Sequence, residues 1–372
     1  MSINYSVLKN DEIAIFKMRS LYKKYGYSQF KMSKFEEYDL YVRNKNYLVS
    51  ENVITFTDTD GKLMALKPDV TLSIIKNCDD NMKGVTKVFY DENVYRVSKG
   101  TESFRELMQV GLECIGDVDT YCIYEVIMLA LESLKGISEE YVLDISDMDI
   151  LYELFDKAEI DSKPRKEIIK CIGEKNTHGI DLICKNYSID SSFCNKLKKL
   201  VSLFGDVDEV MREIRDIVGE SDSITQLETI VNLLSKAGYK DNLRIDFSVV
   251  SDANYYNGFA FKGFIKGIST WILSGGQYDN LMKKMKKNSK AIGFALYLDL
   301  LERFNEEVEE YDVDTVILYD EKSDIDALND AVKMLTSGGK SVICLKEVTS
   351  GLKYKQLLRQ NERGVEIIEN NA

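Results

Sequence analysis

Residues 87–116, KVFYDENVYRVSKGTESFRELMQVGLECIG, decide the fold of this chain. Residues 94–97 favour a short strand, residues 98–103 a turn-rich polar loop, and residues 106–115 a second strand in which polar and apolar side chains alternate. Because successive side chains point to opposite faces of a strand, the apolar ones share one face and the polar ones the other.

The polar face of the second predicted strand carries Gln109, Gly111 and Glu113. A strand rises about 3.3 Å per residue, so the amide and the carboxylate stand roughly 13 Å apart. The glycine between them predicts a gap without a side chain, which suits a small ligand with several hydrogen-bond donors. The alternative is a half-exposed strand whose polar face meets water, and spacing alone favours that alternative.

Local signals predict further elements on the N-terminal side of this stretch. Residues 10–25 carry apolar side chains at near-helical spacing and are followed by Gly26, a natural end for a helix. Residues 58–61, Asp-Thr-Asp-Gly, lie between two strand-like runs and predict a hairpin. Asp69 and Thr71 precede a helical pattern, so helix capping and ligand contact are both open for these two residues.

The domain organisation follows from the way strand and helix patterns are distributed. Residues 1–146 and 241–305, the predicted core, mix both patterns, whereas periodic helical segments dominate residues 147–240 and predict a helical insertion. A glutamate-rich linker follows the core. Residues 312–372 predict a small α/β domain in the order strand, helix, strand, helix, strand, with residues 352–361 as its second helix.

The composition narrows the class of protein. The chain has 372 residues, of which 44% are hydrophobic and 30% charged, as in an ordinary globular protein. A formal net charge of −13 argues against a nucleic-acid partner, because phosphate binding needs a basic face. Seven cysteines without a Cys-x-x-Cys pair, and a single histidine, argue against zinc or a disulfide scaffold. We therefore expect a cytoplasmic protein with no bound metal, and no signal peptide or membrane span is visible.

Five segments, in the correct order along residues 10–305, resemble the catalytic core of class II histidyl-tRNA synthetases. The segments are residues 19–38 (RSLYKKYGYSQFKMSKFEEY), 66–71 (LKPDVT), 95–113, 254–258 (NYYNG) and 275–281 (GGQYDNL). The first is similar to the motif that forms the synthetase dimer, with Ser33 where proline is usual. The resemblance implies an α+β fold in which helices flank an antiparallel sheet, and a symmetric homodimer.

Six side chains at positions that match this family imply a binding site for histidine: Asp69, Thr71, Gln109, Glu113, Tyr256 and Tyr278. The first three match residues that hold the ammonium group. Glu113 and Tyr256 match residues that bind the imidazole nitrogens, and Tyr278 would close the floor together with the backbone of residues 275–276. This site agrees with the polar face that strand alternation predicts.

The residues expected for synthetase chemistry are incomplete. Arg96 matches the arginine that holds the ATP α-phosphate, and it is a candidate remnant of an anion-binding site. Ser98 stands where the family has a glutamate that contacts adenine, and Ser251 and Leu300 stand where it has arginines. Loss of two cations opposite a triphosphate removes charge-assisted hydrogen bonds. We therefore expect no aminoacylation, no catalytic residue and no cofactor.

This combination of a preserved histidine site and lost catalytic residues resembles the synthetase-like regulatory subunits of ATP phosphoribosyltransferase. The resemblance implies a non-catalytic chain that activates the short-form catalytic subunit and binds L-histidine for feedback inhibition of the first step of histidine biosynthesis. It also implies a homodimer within a hetero-oligomer, with no nucleic-acid or membrane partner. The alternatives are a divergent but active histidyl-tRNA synthetase and another synthetase-derived histidine-binding accessory protein.

Overall fold

The structure is a computed structural model that describes residues 8–44, 53–78, 84–98, 103–203, 205–249, 256–301, 304, 310–361 and 364–371. It contains two compact units, and the boundary between them falls between Phe304 and Asn305. Ser251, residues 254–255 of the NYYNG segment and most of the predicted acidic linker lie outside the described residues.

The first unit combines helices and strands along its whole length. Its helices are α1 Asn10–Lys24, α2 Tyr38–Arg43, α3 Thr71–Asn77, α4 Thr120–Lys135, α5 Met148–Lys157, α6 Ser162–Gly173, α7 Thr177–Asn186, α8 Ser191–Ser202, α9 Val207–Val218, α10 Asp222–Lys236 and α11 Asp279–Lys284. Its strands are β1 Ser28–Gln29, β2 Phe35–Glu37, β3 Thr55–Thr57, β4 Leu63–Leu66, β5 Val85–Val97, β6 Phe104–Gly116, β7 Tyr141–Asp147, β8 Leu243–Ile245, β9 Phe259–Ile265, β10 Leu273–Gln277 and β11 Lys290–Tyr297. The α+β class predicted from the sequence is confirmed.

Eight of these strands form one large sheet in the order β1-β5-β6-β11-β10-β9-β7-β8. The pairs β1–β5 and β7–β8 are parallel, and the other neighbours are antiparallel. The longest strand pair in it is the hairpin of β5 and β6, whose pairing runs without a break from Val85–Gly116 to Val97–Phe104. The predicted four-residue first strand is therefore the end of a strand of 13 residues. The polar residues from Asp91 to Asn93 interrupt the strand pattern, so the sequence did not predict the part of the strand that precedes them.

One face of the large sheet packs on α1 and α4 to form the main hydrophobic core. The apolar side of β6, which includes Val110, Leu112 and Cys114, is fully buried there. Helix α4 begins where the Asp119 carboxylate accepts a hydrogen bond from the backbone N–H of Cys122 at 2.9 Å. Because α1 and α4 cover one face of the sheet, the side chains on the opposite face of the same strands are available to form a site.

A second, smaller sheet covers part of that opposite face. It has the order β2-β4-β3, and β3 and β4 form the hairpin predicted around residues 58–61. Gly61 adopts a φ of +82°, which glycine tolerates better than other residues. The chain then enters α3, whose start carries two predicted site residues.

Helices α5 to α10 follow one another between β7 and β8. No strand occurs in the described residues between Asp147 and Leu243. Side chains cap the starts of most of these helices, as when Asp190 accepts from the N–H of Phe193 and Ser221 from that of Ile224. Within the described ranges, no helix is both long and apolar enough to cross a membrane.

The second unit has the elements β12 Val313–Leu318, α12 Ile325–Ser337, β13 Val342–Leu345, β14 Tyr354–Asn361 and β15 Gly364–Asn370. Its sheet has the order β13-β12-β14-β15. The prediction of a second helix at residues 352–361 is wrong, because β14 lies inside the sheet between β12 and β15. Leu357 and Leu358 are both buried, one on each face, and adjacent apolar residues of this kind fit a helix as well as a doubly buried strand.

Candidate functional site

The polar face of β6 is buried inside the first unit. Gln109 and Glu113 have only 3% and 2% of their surface exposed. The alternative of a polar face that meets water is therefore wrong. Buried polar side chains need hydrogen-bond partners, so what surrounds these two groups decides what the site can bind.

Small residues form the floor beside Glu113. Strand pairing aligns Glu113 with Gly293, Gly293 with Gly276, and Gly276 with Ala260. A Cβ added to Gly293 would lie 1.7 Å from a carboxylate oxygen of Glu113, and one added to Gly276 would lie 2.7 Å from the Tyr256 ring. Both glycines are needed because the two side chains lie directly over their backbones.

Gly275 and Gly276 face opposite sides of the sheet. A Cβ at Gly275 would lie 2.5 Å from the Phe261 ring, which is part of the main hydrophobic core. Closure of the pocket floor by the backbone of residues 275–276 stays a prediction. Alternation along β10 explains the difference, because adjacent residues of a strand point to opposite faces.

The predicted gap above Gly111 is filled by Tyr90. Strand pairing aligns the two residues, and a Cβ at Gly111 would lie 2.5 Å from the phenol end of the Tyr90 ring. Tyr90 is 1% exposed, and burial raises the pKa of its hydroxyl well above the usual value. The glycine accommodates a neighbouring aromatic ring, a role that sequence analysis missed because it requires the β5–β6 register.

Glu113 is bound by two neutral hydroxyl groups. Thr71 Oγ1 donates to one carboxylate oxygen at 2.8 Å, and the Tyr278 hydroxyl donates to the other at 2.6 Å. No cationic side chain among the described residues forms an ion pair with it. Burial, with a smaller contribution from nearby Asp69, raises the pKa of Glu113 to about 8, and the two hydroxyl bonds oppose the rise.

Asp69 and Thr71, at the start of α3, form different hydrogen bonds. Asp69 accepts a hydrogen bond from the backbone N–H of Leu72 at 2.9 Å, so the capping interpretation holds for it in this structure. Burial is also the main reason that the pKa of Asp69 is raised. Thr71 points to Glu113 rather than away from it. The structure therefore brings the α3 start, β6 and Tyr278 together around one carboxyl group.

Gln109 carries an unused hydrogen-bonding group. Its amide nitrogen is buried and has no hydrogen-bond partner among the described residues. Leaving a buried donor unpaired costs about 1–3 kcal/mol. A ligand acceptor at this position would remove that cost.

Two basic residues lie beside the site in different roles from those expected of an ATP site. Arg96 donates from Nε to the Pro68 carbonyl at 3.1 Å, and its guanidinium lies 6.0 Å from the centre of the Tyr297 ring. Lys67, which sequence analysis did not single out, is fully buried and pairs with Glu92 at 2.6 Å. Both basic groups are thus engaged by the protein itself.

Leu300 lies in a short 3₁₀ turn, Leu298–Leu301, and packs against the main hydrophobic core. It offers no charge to a phosphate. Within the described residues, no group of three or more histidine, cysteine, aspartate or glutamate side chains is arranged to hold a metal ion. The assembled pocket therefore offers a carboxyl group, an amide and phenols, which suit binding of a small polar molecule.

Comparisons with known proteins agree with this picture. A family model described as histidyl-tRNA synthetase matches residues 8–301. The ATP phosphoribosyltransferase regulatory subunit of Ruminiclostridium cellulolyticum is 28% identical over 316 residues, covering 82% of this chain and 75% of that protein. The predicted likeness to such regulatory subunits is therefore confirmed.

Solved structures share the fold. The crystal structure of an ATP phosphoribosyltransferase regulatory subunit/histidyl-tRNA synthetase from Bacillus halodurans C superposes with a TM-score of 0.77 at 20% identity, covering 97% of this chain and 100% of that chain. A chain of the ATP phosphoribosyl transferase (HisG:HisZ) complex of Thermotoga maritima gives 0.62 at 19% identity, covering 80% and 98%. The class II synthetase-like fold predicted from the sequence is confirmed.

Proposed function

The chain belongs to the histidyl-tRNA synthetase family, and from this premise we propose that it is a regulatory subunit of ATP phosphoribosyltransferase that binds free L-histidine. In this role it contributes no catalytic residue. It activates the short-form catalytic subunit and acts as the sensor through which histidine inhibits the first step of histidine biosynthesis. We expect it to work in the cytoplasm.

Two buried polar side chains of β6 carry the proposal. Among the described residues, no cationic side chain pairs with the Glu113 carboxyl group, and the Gln109 amide nitrogen has no hydrogen-bond partner. Glu113 uses two of the roughly four lone-pair positions of a carboxylate on Thr71 and Tyr278, and the others remain for a ligand. The Gln109 nitrogen needs an acceptor. Histidine supplies an imidazole for the first group and a carboxylate for the second.

The remaining contacts follow from the same arrangement. The Tyr256 ring lies over Gly276, next to the Glu113 side chain, and its phenol suits the second imidazole nitrogen. Asp69 and the Gln109 oxygen supply acceptors for the ammonium group. These assignments support histidine over a purely apolar ligand, which would leave the buried polar groups unpaired.

Loss of aminoacylation is supported by the residues around the pocket. Leu300 is apolar, and Arg96 is bound to the Pro68 carbonyl. Ser251, the second expected departure, lies outside the described residues. Leu300 and Ser251 stand in place of two arginines, so activation of histidine by ATP loses charge-assisted stabilisation of the triphosphate.

The assembly we propose is a homodimer within a hetero-oligomer that contains the short-form catalytic subunit. The Thermotoga maritima complex supports the hetero-oligomer, because one of its chains shares this fold. Exposed Phe16 and Phe35, in and beside the predicted dimer-forming segment, support the homodimer. Coupling of about 1–3 kcal/mol between the histidine site and the catalytic subunit would give useful feedback.

The decisive experiment is calorimetry with L-histidine on the purified full chain, followed by co-purification with a short-form catalytic subunit and a phosphoribosyltransferase assay with and without histidine. We expect binding, activation and inhibition by histidine. Histidine-dependent exchange between ATP and pyrophosphate would instead favour an active synthetase. Histidine binding without any effect on the catalytic subunit would favour an accessory protein.

A further inference from the structure

Three large side chains form a row across the sheet at one end of the pocket. Strand pairing aligns Glu92 with Gln109 and Gln109 with Tyr297. Directly opposed residues of antiparallel strands point to the same face, about 5 Å apart, so the three side chains stand next to one another. The next row toward Glu113 consists of Tyr90, Gly111 and Ala295, and the end of the Tyr90 ring lies over Gly111 and forms the floor there. The larger side chains of the Glu92–Gln109–Tyr297 row stand beyond this floor, so we take that row as the end of the pocket.

An ion pair holds one end of this row. Lys67 donates to Glu92 at 2.6 Å, and the lysine side chain is fully buried while that of Glu92 is 18% exposed. Removing one partner would leave a buried charge uncompensated, so the pair keeps the Glu92 side chain in place.

Aromatic and cationic contacts hold the other end. The Trp271 and Tyr297 rings meet edge to face with their centres 5.1 Å apart. The Arg96 guanidinium lies 6.0 Å from the Tyr297 ring centre and is itself bound to the Pro68 carbonyl. Lys262 lies 5.7 Å from the Trp271 ring centre, which extends the same stack across the sheet. The Tyr297 ring is thus fixed from two sides.

This geometry limits what the pocket can accept. If the imidazole of histidine lies at Glu113, the amino-acid end of the molecule lies toward Gln109, in the last row of the pocket. A group joined to the histidine carboxyl would have to pass that row and would meet the Tyr297 ring. Free histidine avoids this contact, whereas a histidyl nucleotide does not.

We propose that Tyr297, held by Arg96 and Trp271, determines ligand length in this pocket and excludes histidine derivatives that are extended at the carboxyl group. The inference rests on the proposed histidine site and adds a specificity-determining residue to it. It also gives a steric reason, independent of missing charges, why the pocket holds an amino acid but not its adenylate.

The test compares two ligands on three full-length proteins: wild type, Tyr297→Ala and Tyr297→Phe. The ligands are L-histidine and a non-hydrolysable histidyl-adenylate analogue, histidyl sulfamoyl adenosine, with affinities measured by calorimetry. In Tyr297→Ala, we expect the affinity ratio of analogue to histidine to rise at least about tenfold over wild type, or ~1.4 kcal/mol. In Tyr297→Phe, which keeps the ring, we expect the ratio to change less than about threefold.

The single tryptophan of the chain, Trp271, reports on the same contact. Quenching of its fluorescence by acrylamide should increase in Tyr297→Ala and stay near the wild-type value in Tyr297→Phe. If Tyr297→Ala does not fold, as judged by circular dichroism, Tyr297→Leu removes the aromatic ring while it retains apolar volume, and the same rise in ratio is expected.

The outcomes separate this inference from the proposed function. An unchanged ratio in the Ala or Leu variant, or a wild type that binds the analogue as tightly as histidine, overturns the role of Tyr297 and leaves the histidine site intact. A gain in analogue binding without any binding of free histidine supports the role of Tyr297 and overturns the histidine sensor. Absence of binding by either ligand to every variant overturns both.

Discussion

Glu113 and Glu125 are both buried, on opposite faces of the large sheet, and their surroundings differ in one respect. Glu125, on α4, accepts from Lys87 at 2.6 Å and from the Tyr27 hydroxyl at 3.2 Å. Glu113 accepts from the hydroxyls of Thr71 and Tyr278. Within the part of the chain that the structure describes, Glu125 is paired with a cation and Glu113 is not.

The difference teaches how to distinguish a structural carboxylate from a binding one. The Lys87–Glu125 pair compensates its own charge, so it needs nothing from outside the chain. Glu113 instead has a pKa raised to about 8, mainly by burial, and no cation in the described ranges offsets the loss of water. A ligand that brings a proton or a positive charge would compensate the charge of the buried Glu113 carboxylate. Carboxyl groups with a pKa perturbed in this way mark candidate binding sites.

The largest effect should come from breaking the structural pair. Glu125→Ala leaves Lys87 without its buried partner, and we expect a loss of about 3 kcal/mol in the free energy of unfolding. Denaturant unfolding would measure it. The matched control is Glu140→Ala, which removes an exposed ion pair with Lys266 and should cost less than about 1 kcal/mol. Equal losses in the two variants would mean that Glu125 is not the structural carboxylate of the comparison.

Removing the binding carboxyl group should act on ligand affinity. Glu113→Ala leaves the imidazole without its partner, so L-histidine should bind at least about tenfold more weakly by calorimetry, or ~1.4 kcal/mol. In the assembled complex, activation should persist while inhibition by histidine is blunted. Glu106→Ala, at the exposed end of the same strand, serves as control and should bind as wild type does. Normal binding by Glu113→Ala would reject the residue assignment.

The pH dependence of binding should distinguish the two carboxylates further. Free histidine has an imidazole pKa of about 6.5, and that of Glu113 is raised to about 8. We expect the bound state to be an imidazolium–carboxylate ion pair, which holds one titratable proton. Below about pH 6.5 the two free groups hold two titratable protons and must release one, and above about pH 8 they hold none and must take one up, so affinity should fall about tenfold per pH unit on either side.

Calorimetry across pH 5 to 9.5 would detect this bell-shaped profile. Glu113→Gln should have a shallower alkaline limb than wild type, because the amide does not titrate and only the α-ammonium group of histidine still loses a proton, whereas Glu125→Gln should keep the wild-type profile. A wild-type affinity that stays level between pH 8 and 9.5 would contradict the pKa shift as a feature of the site.

The smallest effects should come from the two tyrosine hydroxyls. Tyr278→Phe removes one neutral hydrogen bond to Glu113 and should weaken histidine binding by about threefold to tenfold, in line with ~0.5–1.5 kcal/mol. Tyr27→Phe should leave histidine affinity unchanged and lower stability by less than about 1 kcal/mol, because Lys87 remains on Glu125. If Tyr27→Phe weakened histidine binding as Tyr278→Phe does, the two faces of the sheet would not be independent.

Several structural features could be predicted from the sequence because they depend only on a few adjacent residues. The glycine after α1 and the Asp-Thr-Asp-Gly turn between β3 and β4 were predicted because turn and cap preferences depend on a few adjacent residues. The two faces of β6 were predicted because alternation is a property of any strand. The order of the synthetase-like segments then indicated the α+β fold.

Other features failed because long-range packing overrides local preference. Residues 352–361 read as a helix, yet β12 and β15 bind them from both sides as β14. The sequence predicted only the last four of the thirteen residues of β5. Polar residues interrupt the strand pattern in the other nine, from Val85 to Asn93.

The sequence by itself determined which residues carry a carboxyl, an amide or a phenol, and which side of their own strand they occupy. Only the tertiary structure decided their neighbours. Strand register put Tyr90 over Gly111 and aligned Glu92, Gln109 and Tyr297, and it depends on contacts between residues far apart in the chain. The raised pKa of Glu113 is likewise a tertiary property, because it arises mainly from burial among residues far apart in the chain.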